Sequence, residues 1–341
     1  MKWMETNRLM LRTFDEDDFE AVHSYASCAD NITYNLFGPN TEADTRNFIS
    51  CAIAKASEDP VTNYHFAVIR KETGVLIGSC DIHTDGKEAE VGWILHRDHW
   101  RKGYGSEIAQ SLIKFGFEDL NCHRLIARCD AENTGSFRLM EKAGMRREGL
   151  FYDARPAHKL SSRPYGDEFL YAILKDDWET QKEIAYYNAL PCIFDGFIDV
   201  PTLSDGEVYL VCIEKTPANP EMKWVPGYSF AICKDGEKVG GISLRIGYSD
   251  GLYYGGQIGY DVDEIHRGKG YAVRACRLIL PVAKAHGMVK LLITNNYTNI
   301  ASRRVCEKLG ARLVRKVRLP EWSDLYKSGQ RFENIYEFKV E

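Results

Sequence analysis

The ten cysteines of this 341-residue sequence form no Cys-x-x-Cys pair, and its nine histidines show no paired metal-ligand spacing. Redox and zinc-ribbon chemistry are therefore not indicated. Cys80, Cys129, Cys212 and Cys276 lie in apolar contexts and read as reduced core residues, with no metal site expected. No apolar run approaches a membrane span, and Met1-Lys2-Trp3-Met4-Glu5 lacks the apolar core of a signal peptide. A cytoplasmic protein with no membrane partner is expected. Positive charge is not in excess either. Lys and Arg number 44 against 49 Asp and Glu, and the net charge of −5 gives nucleic acid no electrostatic hold. What remains is an ordinary globular composition, 44% hydrophobic and 27% charged, at a length that suits two domains.

One stretch occurs twice. His99-Trp-Arg-Lys-Gly-Tyr-Gly-Ser-Glu107 returns as His266-Arg-Gly-Lys-Gly-Tyr-Ala-Val273. An alternating apolar segment precedes each copy, Glu90–Leu95 and then Gln257–Val262, and a run of helical period follows. Downstream, Arg124–Arg128 and Lys290–Thr294 read as strands. Each is followed by a helix, opening at Asn133-Thr-Gly-Ser136 and at Asn299-Ile-Ala-Ser302. Gly103 and Gly270 are 167 residues apart, and Asn133 and Asn299 are 166 apart, so the repeat is an internal duplication.

Glycines in such a turn let the backbone approach a ligand, and the first amides of the following helix have no internal acceptor. With the helix dipole added, the amides near Lys102–Ser106 and near Lys269–Val273 make a site for a pyrophosphate. The plainer reading is a tight turn that needs small residues for packing.

On these residues the sequence resembles the GNAT superfamily of acetyl-CoA-dependent N-acyltransferases, whose motif Arg/Gln-x-x-Gly-x-Gly/Ala binds the coenzyme pyrophosphate. Arg267, Gly268, Lys269, Gly270, Tyr271 and Ala272 match it fully. The segment from Trp100 through Arg101, Lys102, Gly103, Tyr104, Gly105 and Ser106 departs at its first position. That tryptophan is common in the branch that acetylates ribosomal-protein N-termini, which the first half also resembles at Thr6–Arg12 and Asp167–Leu174. The second half is similar to small bacterial members. The resemblance implies an α/β (α+β) chain with two GNAT folds in tandem, residues 1–180 and 190–341. Each would have a mixed, mostly antiparallel central sheet flanked by helices. Between them 176–189 reads as helical rather than as a flexible tether, so the domains are expected to pack on each other.

Along the first half, Arg8–Thr13 reads as a strand, Asp15–Ser27 as a helix, and Thr41 as the cap of a second helix. A hairpin turns at Glu72-Thr73-Gly74. At the front of the second half Pro201, Pro217, Pro220 and Pro226 argue for loops and short edge strands instead of a helix pair.

The resemblance further implies acetyl-CoA as cosubstrate, with oxyanion-stabilising amides around Trp93, Ile94 and Leu95 and around Tyr260 to Val262. A bulge there splays two parallel strands, and Gly92 and Gly259 suit a distorted strand. Glu90, two residues before Gly92, is a candidate base or the orienter of a water; equally it answers a cross-strand cation. Gln257 stands at its place in the second half and cannot take a proton. Glu88, His96, Asp261 and Asp263 are lesser candidates. The family's tyrosine acid falls at Met140 and Cys306 and is missing from both halves. By resemblance Asn133 contacts the pantetheine and Ser136 lies near the sulfur, with Asn299 and Ser302 repeating them; helix capping is the structural alternative. An α-amine is neutralised near pH 7 for roughly 1 kcal/mol, far less than a lysine, which favours a peptide N-terminus or a small-molecule amine as acceptor.

Overall fold

Leu9 and Leu11 are buried while Met10 and Arg12 are half-covered, the two-residue period of a strand, and the first sheet is built outward from that edge. The structure is a computed structural model that describes residues 3–158 and 161–340. The chain divides into two units, Met1–Trp178 and Glu179–Glu341.

The first unit runs β1 (Met4–Glu5), β2 (Leu9–Arg12), α1 (Phe19–Ala26), α2 (Glu42–Lys55), β3 (Asn63–Arg70), β4 (Leu76–Asp85), β5 (Glu88–Leu95), α3 (Tyr104–Lys114), β6 (Arg124–Asp130), α4 (Thr134–Lys142), β7 (Arg146–Pro156) and β8 (Tyr165–Leu174). Thr41 caps α2 through a capping box with Asp44. The strands form one sheet in the order β1-β2-β3-β4-β5-β6-β8-β7. Among the described residues only β5 and β6 pair in parallel, and their ladder holds three pairs, Glu88 with Arg124, Ala89 with Leu125 and Glu90 with Ile126. On one face Ile108 and Leu112 of α3 pack with Val91, Leu125 and Tyr171, all buried. On the other, Val22 and Tyr25 of α1 and Ile49 of α2 cover Ala67 and Ile69. Each fully buried aliphatic side chain contributes about 1.5–3 kcal/mol relative to exposure.

The chain passes from one unit to the next within α5 (Lys175–Asn188). The second unit continues β9 (Leu203–Ser204), β10 (Tyr209–Thr216), β11 (Gly227–Lys234), β12 (Glu237–Arg245), α6 (Asp250–Gly255), β13 (Ile258–Val262), α7 (Tyr271–Leu278), α8 (Leu280–Ala285), β14 (Lys290–Asn296), α9 (Ile300–Leu309), β15 (Arg312–Arg318), α10 (Asp324–Lys327) and β16 (Phe332–Lys339). Here the sheet is in two pieces, β13-β12-β11-β10-β9 and β14-β16-β15. Among the described residues no ladder joins β13 to β14, but they touch at one end, where the Gln257 amide donates to Leu292 O at 2.8 Å. The short helix α6 is not signalled by sequence pattern. Two of its six residues are glycine, and it forms because Leu252, Tyr253 and Tyr254 are buried and Ser249 caps its first turn.

Candidate functional site

Both glycine turns form, and on the same backbone geometry. Gly103 and Gly270 sit just before α3 and α7 with φ of 83° and 84°, the left-handed region that favours glycine. The preceding turn residue is left-handed too, Gly268 in the second unit (φ 80°) and Arg101 in the first (φ 57°), where a side chain is tolerated at a cost. The amides of Tyr104, Gly105 and Ser106, like those of Tyr271, Ala272 and Val273, then open outward from the first turn of a helix. A Cβ on Gly105 would lie 2.9 Å from Leu139 Cδ2, so this glycine lets α3 approach α4, the helix of Asn133 and Ser136.

The motif's departure at Trp100 preserves a bond. Trp100 Nε1 donates to Leu95 O at 2.8 Å, and Arg267 Nε donates to Val262 O at 3.1 Å, so both residues tie the turn to the end of the strand before it. Asn31 reinforces the first tie, with Nδ2 donating to Leu95 O at 3.2 Å and Oδ1 accepting from the Arg97 amide at 2.6 Å. Arg8, missed as a functional residue in the sequence, braces the turn from β2's leading edge. It donates to Lys102 O at 3.0 Å, pairs with Glu107 and lies 4.5 Å over the Tyr104 ring. Only its place in the Thr6–Arg12 segment could have drawn attention to it.

The expected bulge is not what parts the strands. The β4–β5 and β12–β13 ladders run without a register shift. In the first unit the β5–β6 ladder simply ends at Glu90, leaving Trp93, Ile94 and Leu95 beyond the last pair. Gly92 and Gly259 have a different reason. A Cβ on Gly92 would lie 2.9 Å from Asp81 Oδ1, and one on Gly259 would lie 3.1 Å from Ser243 Oγ, so each makes room for a polar side chain of the neighbouring strand.

Asn133 and Asn299 cap α4 and α9, their Oδ1 atoms accepting from the amides of Ser136 and Ser302 at 3.1 Å in each case. The caps use Oδ1 and leave the amide nitrogens for other work. Burial pushes the pKa of the Cys129 thiol up to about 11, and the neighbouring Ser136 hydroxyl opposes the rise. Ser302 instead meets the hydroxyl of Tyr260 at 2.9 Å. Tyr260 was read from sequence only for its amide; its side chain supplies a hydroxyl where the first unit has Trp93. Met140 and Cys306 are buried core residues and bring no acid to the site.

Glu90 faces a polar patch. Its carboxylate lies 3.7 Å from Arg128 Nε, and Arg128 reaches Glu168 at 3.4 Å. Burial raises the Glu90 pKa, Arg128 opposes, and Glu168 and Asp81 add to the rise. Beside it His83 Nε2 stands 2.9 Å from Asp81, which raises the histidine's pKa, while burial lowers that of His65. Donor atoms of His65, Asp81 and His83 lie within 4.8 Å of one another, close enough to hold a cation. The grouping was not visible in the sequence, because His65 on β3 meets Asp81 and His83 on β4 only through the pairing of the two strands. Both His83 nitrogens already face oxygens, those of Asp81 and Asn63, so the patch satisfies itself through protons.

The second unit treats the matching positions differently. Gln257 is fully buried, and its Oε1 accepts from the Leu292 amide at 2.6 Å while its Nε2 donates to Gly247 O at 3.1 Å. It is a strut between β13 and β14. Tyr260, Val262, Arg267, Gly268, Gly270, Tyr271, Ala272, Asn299 and Ser302 all line one cleft of about 2210 Å³; Lys269 does not. Two further residues of that cleft, Arg245 and Glu333, were not singled out by sequence.

A family model described as an acetyltransferase (GNAT) domain matches residues 8–146 and 200–312. The chain is 36% identical over 175 residues to an uncharacterised N-acetyltransferase of Bacillus subtilis, YnaD, covering 51% of this chain and 97% of that protein. To an uncharacterised N-acetyltransferase of Bacillus licheniformis it is 31% identical over 181 residues, 52% of this chain and 99% of that one. A crystal structure of a GNAT-family acetyltransferase from Bacillus anthracis aligns with a TM-score of 0.45 at 39% identity, covering 51% of this chain and 98% of that chain.

Proposed function

The chain belongs to the GNAT acetyltransferase family and is an N-acetyltransferase, and from that premise we propose how it works. Each glycine turn binds the pyrophosphate of one acetyl-CoA, through the amides that open from α3 and from α7. Asn133 and Asn299 hold the pantetheine arm. The thioester then lies where the strands part, its carbonyl oxygen toward the amides of Trp93, Ile94 and Leu95 or of Tyr260 and Val262. A bound primary amine attacks directly in a ternary complex, and the chain is a tandem duplication that works in the cytoplasm.

Within the first unit Glu90 takes the proton of the attacking nitrogen. The observation that carries this is its position. Glu90 is the last residue of β5 paired to β6, half-buried and 3.7 Å from Arg128, with its pKa raised by burial toward the range useful to a base. Asp81, Glu90 and Glu168 make this face acidic, which suits a cationic acceptor such as a peptide N-terminus or a small-molecule amine. Ser136 stands by the departing sulfur, and a thiol of pKa about 8.5 leaves without a strong acid.

Gln257 favours a second reading for Glu179–Glu341, a unit that binds acetyl-CoA without using it, because the strut cannot accept a proton. The test of the main reading is thiol release from acetyl-CoA by the full chain carrying Gly270→Val, which strains the α7 turn so that the first unit alone turns over, against a panel of peptides and small amines. Turnover that requires an acceptor and falls about 100-fold or more in Glu90→Gln supports it. Full turnover in that variant contradicts it.

A further inference from the structure

The carboxyl that the second unit lacks at Gln257 is present on its last strand. Glu333 pairs with Asn296 across β16 and β14, as Glu168 pairs with Asp130 across β8 and β6, so the two glutamates hold the same register position. Their surroundings differ in the cation that faces them. Arg128, opposite Leu170 in its ladder, holds Glu168; the residue opposite Ile335 in the second unit is Thr294, which has no charge to offer. Glu333 is 4% exposed, and its Oε2 has no hydrogen-bond partner among the described residues. Burial pushes its pKa up to about 7.

An unmatched cation lines the same cleft. Arg245 donates to Gly256 O at 3.2 Å and has no carboxylate within ion-pair distance among the described residues. Burial lowers its pKa, yet a guanidinium keeps its charge in a protein. It stands at the parted strand, Nη1 being 3.7 Å from where a Cβ on Gly259 would lie. The coenzyme answers neither group, since its pyrophosphate belongs to the α7 turn and its pantetheine arm and thioester are uncharged. Partly buried charges call for partners, and a ligand with both an ammonium and an anion supplies both. Tyr254 and Trp322, edge to face at 5.8 Å, add aromatic surface to the cleft wall that favours a cation.

We infer that Glu179–Glu341 is a second acetyl-transfer centre for a small primary amine that also carries a carboxylate or like anion, with Glu333 as its base and Arg245 as its anion anchor. This rests on the proposed binding of acetyl-CoA at the α7 turn. The acceptor's ammonium gives one proton to Glu333, and the freed nitrogen lone pair forms the C–N bond to the thioester carbonyl. On collapse of the tetrahedral oxyanion the C–S bond breaks and its electron pair leaves on sulfur. The nitrogen's second proton passes to that thiolate through the hydroxyls of Ser302 and Tyr260, 2.9 Å apart, and Glu333 returns its proton to water. The products are the amide and free coenzyme thiol.

The experiment uses the full chain carrying Asn133→Ala and Ser136→Ala, so that the second unit alone turns over. Thiol release is followed with β-alanine against propylamine and with 4-aminobutyrate against butylamine. The carboxylate-bearing amines are expected to have at least about tenfold higher kcat/KM, a preference that Arg245→Gln abolishes. Glu333→Gln should lower kcat about 100-fold or more and remove the limb of the pH profile near 7, while acetyl-CoA still binds by calorimetry. A Glu333→Gln variant with the parent rate and profile overturns the inference, as does coenzyme binding at the α7 turn with no transfer to any of the four amines. Absence of coenzyme binding there fails the underlying reading first and removes the inference with it.

Discussion

The indole nitrogen of Trp100 lies 2.8 Å from the carbonyl oxygen of Leu95, and this bond explains how the first turn keeps its shape without the arginine that Arg267 provides in the second. A planar donor of similar reach closes the same loop, from the turn back to the end of the preceding strand. Trp100→Phe keeps the ring and removes the donor. It should cost about 1 kcal/mol of stability and weaken acetyl-CoA binding at the first turn, while Trp100→Arg restores both. Urea titration and calorimetry read the two effects separately.

Gln257 is a structural member of the second unit. With two bonds at 2.6 and 3.1 Å and no exposure, its replacement by alanine leaves the Leu292 amide and Gly247 carbonyl unsatisfied. Gln257→Ala should destabilise the chain by about 2–4 kcal/mol, seen as a lower urea midpoint. An unchanged midpoint would mean that β13 and β14 are held together by other contacts.

For Glu90 the prediction is a pH dependence. Burial raises its pKa, so the base form is gained only at a pH above that of an ordinary carboxylate. The first unit's rate should rise with pH through that shifted limb, and Glu90→Gln should remove the limb along with about 100-fold or more of kcat. A profile with the same limb in the variant assigns it to another group.

Glu333 carries a stability signature of opposite sense to a salt-bridged carboxylate. Its folded pKa of about 7 lies above the 4.5 of an ordinary glutamate, so the native state binds the extra proton between those values. The stabilisation is fully present below the lower pKa and is lost as pH rises through the upper one, by about 3 kcal/mol. Glu333→Gln should therefore flatten the fall in stability between pH 5 and 8 and leave the variant more stable at the alkaline end. Denaturant midpoints across that range check it.

Much of this was legible in the sequence because it is local. The glycine turns, the Asn133 and Asn299 caps and the Thr41 helix start are each fixed by a few consecutive residues. What escaped is what strands assemble. His65, Asp81 and His83 meet across β3 and β4, and Arg8 reaches the turn 94 residues on at Lys102. The role of Gly92 was misread as strand distortion because the side chain that needs its space, Asp81, lies on another strand. Glu333 stood at the position of Glu168 in the duplicated pattern all along. Its significance depends on Thr294 replacing a cation, and only the register shows which residues face each other.

Whether both turns load coenzyme is read from calorimetric titration of the full chain with acetyl-CoA. Two sites per chain are predicted, falling to one in Gly103→Val and to one in Gly270→Val, because each glycine holds φ near +83° where a branched side chain is strained. A single site in the unaltered protein, or none, would contradict the account.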